Sequence, residues 1–310
     1  MNIAYSCNDF YVPQTGISII SLCENNKTVE DIVIYFIAKD CSQENIDILR
    51  KITESYNRKF VVVNFDDIAY DLKISNVGRH IETIYSKVFF SRIEGLEKII
   101  YLDSDIVVVG NLQPLWNMDL SNFYMGVVQT FSKVKPQLGL ADDYKFFNDG
   151  MAIVNVDYCR KNNLIEKVNK VVATYEGNPP TLSEGALNKV CQGKVKYISL
   201  RYNLMAGILY YALMDADRLA CQLNAYTPQD LLDSCKHPVC IHYLTAFYNR
   251  PWFTPCTHPY KNEYLKYKAK SPWKDVQPQY KPLPLRIRLI DICYRVLGYR
   301  VTELIRKVIC

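Results

Sequence analysis

Short apolar runs, too brief to be helices, alternate along the chain with longer segments of helical period. Residues 3–5, 31–38 and 60–65 are such runs, and residues 15–24, 43–57 and 79–93 carry the helical spacing. A strand apolar on both faces needs cover above and below, which a parallel sheet with crossover helices supplies. The pattern predicts an α/β fold with a mostly parallel central sheet and helices on both faces. Residues 98–102 form the next strand. Further strands are expected at 124–129, 151–156, 195–199 and 239–242. Ligands of such open sheets sit beyond the carboxyl ends of the strands. Asn8-Asp9, Asp103-Ser104-Asp105 and His242 all fall at those ends.

With 310 residues, 49% of them apolar, the chain can bury one large core with a small appendage. A net charge of +5 is a mild excess that excludes little by itself, and no nucleic-acid partner is expected. Neither Gly-x-Gly-x-x-Gly nor a Walker A motif occurs, so a bound nucleotide would need a metal and basic side chains to neutralise its phosphates. The 11 cysteines are odd in number and include no Cys-x-x-Cys pair. That argues against a zinc ribbon or a disulfide framework and for buried thiols in a reducing cytosol. No basic leader and no apolar run of about 20 residues is seen. A soluble or peripheral, cytoplasmic protein is expected.

Asp103 and Asp105, two residues apart after an apolar strand, point to one side and can reach one cation. Two carboxylates this close repel unless a cation or protons neutralise them. His242 ends another short apolar run. Two carboxylates and an imidazole suit Mn²⁺ or Mg²⁺ better than zinc. A helix over 79–93 would carry Arg79 and Lys87 toward the same cleft, and Arg250-Pro251-Trp252 adds a cation near His242. Cations beside a metal can stabilise a departing diphosphate. Phe147-Asn148-Asp149-Gly150 reads as a tight polar loop able to present amides and carboxylates to sugar hydroxyls. After about residue 259 prolines punctuate the chain, which divides it into a body, 1–258, and an extension, 259–310. Residues 285–310 read as one helix, with Arg288, Asp291, Arg295, Thr302 and Arg306 on one face and Leu285, Leu289, Ile292 and Val296 on another.

In order along the chain, Ile3-Ala4-Tyr5-Ser6-Cys7-Asn8-Asp9, Tyr85-Ser86-Lys87, Tyr101-Leu102-Asp103-Ser104-Asp105, Phe147-Asn148-Asp149-Gly150 and His242 followed by Arg250-Pro251-Trp252 resemble glycosyltransferase family 8. This retaining family includes bacterial lipopolysaccharide galactosyl- and glucosyltransferases and glycogenin. The resemblance implies a single-domain, Rossmann-like nucleotide-sugar transferase fold of the A type with a C-terminal helical extension. It implies Asn8, Asp9 and Tyr11 against uridine, with Ser104 joining the nucleotide contacts. Lys87 would contact the donor sugar or phosphate, Asp103, Asp105 and His242 would hold Mn²⁺, Asn148 would touch the donor sugar, and Arg250 would bind the diphosphate. Where the family pattern has Asp-Gln, this chain reads Ser183-Glu184. Glu184 would then stand near the anomeric carbon as a stabilising charge or nucleophile, and Asp149 would take over donor contact.

The implied activity is Mn²⁺-dependent, retaining transfer of glucose or galactose from a UDP-sugar to a saccharide or glycolipid acceptor in lipopolysaccharide or capsule synthesis. Arg286, Arg288, Arg295, Arg300, Arg306 and Lys307 beside the apolar face of the last helix are expected to attach it to an anionic membrane surface, the cytoplasmic face of the inner membrane. Two other classes compete: an inactive UDP-sugar-binding protein, allowed by the Ser183-Glu184 exchange, and an Asp-x-Asp phosphotransferase.

Overall fold

Residues 1–75 and 82–309 are described by the structure, a computed structural model. Arg79 lies outside the described residues. The first three strands, β1 (Asn2–Cys7), β2 (Val33–Ala38) and β3 (Lys59–Asn64), run parallel in continuous register, with Cys7 level with Ala38 and Ala38 level with Asn64. Two helices, α1 (Val12–Asn25) and α2 (Gln43–Ser55), make the crossovers. Ser42 caps α2 by accepting a hydrogen bond from the Asn45 N–H.

Strand β4 (Lys98–Leu102) pairs parallel with β1, and β5 (Ile106–Val108) follows it after three residues. Strands β6 (Met125–Gln129), β7 (Phe147–Asn155) and β8 (Val195–Tyr197) complete a seven-stranded sheet of order β3-β2-β1-β4-β7-β6-β8. The sheet is mostly parallel with helices packed around it. Strand β7 is antiparallel to both its neighbours. A second, small sheet joins β5 to β9 (Leu204–Met205) through β10 (Cys240–His242).

Three readings need correction. Residues 147–150 are not a loop but the first residues of β7, where a bulge in the pairing with β6 between Val127 and Val128 absorbs the irregularity. The described part of 79–93 forms 3-10 turns, Glu82–Val88 and Phe90–Arg92, rather than an α-helix. Tyr85, Val88 and Phe89 are buried there, and an i, i+3 apolar spacing serves either helix type. The last helix, Leu285–Ile309, is broken at Gly298, whose φ of 74° is left-handed.

Residues beyond 258 pack on the body. The Trp273 ring lies so close to α1 that a Cβ on Gly16 would come within 2.4 Å of it. Tyr210 donates to Asp291 at 2.7 Å, and Tyr294 is buried among aromatic rings. The ten described cysteines are free thiols.

Candidate active site

Sheet topology gathers the polar residues. Strand β4 ends at Leu102, and Asp103-Ser104-Asp105 bridges the large sheet to β5 in the small one. The antiparallel β5–β10 pairing sets His242 opposite Ile106, one residue beyond Asp105. Because β7 runs against β4, its first residues lie at the edge where the parallel strands end. Met151 pairs with Leu102, which carries Asn148, Asp149 and Gly150 beside Asp103. The Asp103 N–H donates to the Gly150 carbonyl at 2.8 Å.

Ligand atoms of Asp103, Asp105 and His242 lie within 4.8 Å of one another. His242 Nε2 is 3.0 Å from Asp105 Oδ1 and 3.7 Å from Asp103 Oδ2. Although buried and close to both carboxylates, this nitrogen makes no well-formed hydrogen bond. Such an orphan among oxygen donors fits a hard divalent cation, Mn²⁺ or Mg²⁺, with positions left for further oxygens. Gly150 is required by the crowding. A Cβ there would fall 2.4 Å from Asp103 Oδ2 and 2.6 Å from His242 Cε1.

The two carboxyls differ electrostatically. Burial pushes Asp103 up, only partly offset by Lys87 and His242, although its side chain keeps 32% exposure. Burial also opposes charge on Asp105, but His242 and Arg250 outweigh it and hold the carboxyl at about 2. Arg250 reaches Asp105 Oδ2 at 3.0 Å, donates from Nε to the Tyr243 carbonyl, and contacts the Tyr11 hydroxyl at 3.3 Å. Tyr101 donates to Asp103 Oδ1 at 2.7 Å.

Asp103 is shared by two cavities. One, of about 240 Å³, is lined by Cys7, Tyr11, Ser104, Asp105 and Arg250. The other, of about 700 Å³, is lined by Lys87, Asp149, Ser183 and Glu184. In the second, Lys87 Nζ and the Ser183 hydroxyl both donate to Asp149 Oδ2, at 2.9 and 2.7 Å. Asn148 donates to Glu184 Oε2 at 2.8 Å. Burial first, then the Asp149 charge, raise Glu184 to about 8. Gly185 lets the preceding loop pass, since a Cβ there would lie 1.8 Å from the Pro180 carbonyl oxygen.

Most of the expected residues therefore line one edge. Ser104 points inward, its Oγ 2.8 Å from Thr15 Oγ1. Asn8 Oδ1 is buried without a partner. Asp9 is already engaged, accepting from the Ser42 N–H and hydroxyl at the start of α2. Sequence reasoning missed Asn203, which contacts both His242 and Asn148. A polar residue just ahead of the apolar pair Leu204-Met205 was its only signal.

The sequence profile described as glycosyl transferase family 8 matches residues 2–255. A putative glycosyltransferase of Haemophilus influenzae is 30% identical over 216 residues, covering 66% of this chain and 63% of that protein, so the match spans under two thirds of that relative. The lipopolysaccharide 1,2-glucosyltransferase of Escherichia coli is 22% identical over 289 residues, covering 90% of this chain and 80% of its own. Among solved structures, the galactosyltransferase LgtC in complex with donor and acceptor sugar analogues superposes with a TM-score of 0.71 at 22% identity, over 93% of this chain and 99% of that one.

Proposed function

The chain belongs to glycosyl transferase family 8, and from that premise we propose that it is a retaining hexosyltransferase. It moves glucose or galactose from a UDP-sugar to a saccharide or glycolipid acceptor of surface-glycan synthesis. The observation that carries this reading is the orphaned His242 Nε2 between Asp103 and Asp105, with Arg250 at the rim and two cavities meeting at Asp103. A divalent cation held by Asp103, Asp105 and His242 would neutralise charge on the donor diphosphate.

The residues divide the work along the donor. Asn8 Oδ1, buried and unpartnered, is free to accept an N–H from the uracil. Tyr11 would lie against the uridine with its hydroxyl touching Arg250, and the Arg250 guanidinium would bind the diphosphate and offset charge as UDP departs. Asn148, Asp149 and Lys87 offer the sugar hydroxyls a fixed set of donors and acceptors. With its carboxyl raised to about 8, Glu184 is largely protonated at neutral pH and can donate to a sugar oxygen. In the transfer step the anomeric carbon loses its bond to the UDP oxygen and gains one to the acceptor oxygen. The acceptor proton passes to a phosphate oxygen of the donor.

The last helix is proposed to attach the protein peripherally to an anionic bilayer. Leu285, Leu289, Ile292 and Val296 are exposed along one stripe, and the neighbouring Arg286 and Arg288 are exposed as well. Among the described residues no helix is long and apolar enough to cross a membrane. The test of the activity is UDP release over a panel of UDP-glucose, UDP-galactose and UDP-N-acetylhexosamines, with Mn²⁺. Release from one hexose donor, stimulated by a saccharide acceptor, supports the reading. Binding of UDP-sugars without release from any of them makes the chain a binding protein instead.

A further inference from the structure

A chain of side-chain amides runs from the candidate cation site to the sugar side of the cleft. Its polarity can be fixed from one backbone group. The Gly150 N–H can only donate, and it points at Asn148 Oδ1 at 3.2 Å. The other end of the Asn148 amide, Nδ2, therefore faces Glu184 Oε2 at 2.8 Å. Asn203 approaches the same Asn148 oxygen at 2.9 Å, so it must present its NH₂ group there. The Asn203 oxygen is then turned to His242 Nδ1 at 2.9 Å, and the ring nitrogen facing it must carry the proton.

Asn203 is 0% exposed and immediately precedes β9, whose parallel pairing with β10 sets Met205 against His242. The backbone register thus holds the amide in place, and water has no access to replace it. In the neutral ring a proton on Nδ1 leaves the lone pair on Nε2, and that nitrogen lies between Asp103 and Asp105. We infer that Asn203 is a positioning residue of this site: it fixes the His242 tautomer so that Nε2 is ready to ligate a cation. The inference rests on the cation-site reading, but the tautomer itself is measurable in protein without metal. Ligating histidines are generally held by a partner on their other nitrogen, and loss of such a partner weakens metal binding about 10–100-fold.

The test is ¹⁵N–¹H correlation of the histidine ring nitrogens in metal-free, full-length protein, together with a Mn²⁺ titration followed by electron paramagnetic resonance. Wild type is expected to show His242 protonated on Nδ1. Asn203→Ala is expected to lose that preference and to bind Mn²⁺ about 10–100-fold more weakly. Asn203→Asp, which keeps an acceptor for the Nδ1 proton, is expected to retain the tautomer. A neutral His242 ring protonated on Nε2 alone in wild type overturns the inference, whether or not the variants fold. So does a folded Asn203→Ala protein with unchanged tautomer and Mn²⁺ affinity. An Nδ1 proton that depends on Asn203, in a protein that binds no Mn²⁺, supports the positioning role and overturns the cation-site reading alone.

Discussion

Lys87 and Asp149 form a buried ion pair, Nζ to Oδ2 at 2.9 Å, with the lysine side chain 1% exposed. The Ser183 hydroxyl donates to the same carboxylate oxygen, and the Tyr101 ring lies 4.5 Å from the ammonium. Removing one partner of such a pair strands a buried charge, which costs more than removing both. Asp149→Ala is predicted to lower stability by about 3 kcal/mol or more. The double variant Lys87→Met with Asp149→Ala is predicted to cost less than the two single changes summed. Urea denaturation of the three proteins checks both statements, and strict additivity would contradict them.

Gly150 is the point where β7 touches the candidate cation site. An added methyl would collide with Asp103 Oδ2 and His242 Cε1, and neither neighbour can move without leaving the other ligands. Gly150→Ala is predicted to cost about 1–3 kcal/mol of stability through overpacking and to weaken Mn²⁺ binding at least tenfold. Calorimetric titration with Mn²⁺ reads the second effect directly.

Glu184 should make stability fall as pH rises. Its carboxyl is raised from 4.5 to about 8, so between these values the folded chain holds a proton that the unfolded chain has released. The protonated native carboxyl contributes stability that is complete below about pH 4.5 and is lost as pH climbs through about 8. Glu184→Gln removes this dependence. Thermal melts from pH 5 to 9 should show the variant gaining on wild type across that window, and parallel curves would contradict the assignment.

The exposed stripe of the last helix makes a prediction about surfaces. Leu289→Gln with Ile292→Gln, at positions 52% and 54% exposed, should leave the melting temperature within a few degrees of wild type. Sedimentation with anionic phospholipid vesicles should fall several-fold. Wild type should also sediment less with zwitterionic vesicles and at high salt, because arginines supply part of the attraction. Equal partitioning of wild type and variant would remove the membrane role.

Much of the site was legible because chemistry and period coincide in it. The run 99–102 is apolar throughout, so its strand and the carboxylates after it stood out. His242 followed from the same logic in a shorter run. What sequence did not reveal depended on pairing direction. Asn-Asp-Gly at 148–150 has turn chemistry, yet antiparallel insertion of β7 beside β4 and a bulge opposite make it strand. The break at Gly298 was missed because the apolar period runs on past it, although its φ of 74° is one that residues other than glycine avoid. Asn203 was hidden for a different reason: its role exists only once the small sheet has set β9 beside β10.

The most direct test of the whole account is UDP release from the preferred donor by wild type and by Asp105→Asn, each with Mn²⁺ and with a chelator. Asp105 is the choice because His242 and Arg250 both converge on its carboxylate. The account predicts turnover in wild type that requires the metal, and a loss of about 100-fold or more in Asp105→Asn, the scale expected when a pre-organised charge-stabilising group is removed. Undiminished turnover by Asp105→Asn, or by wild type stripped of metal, would contradict it.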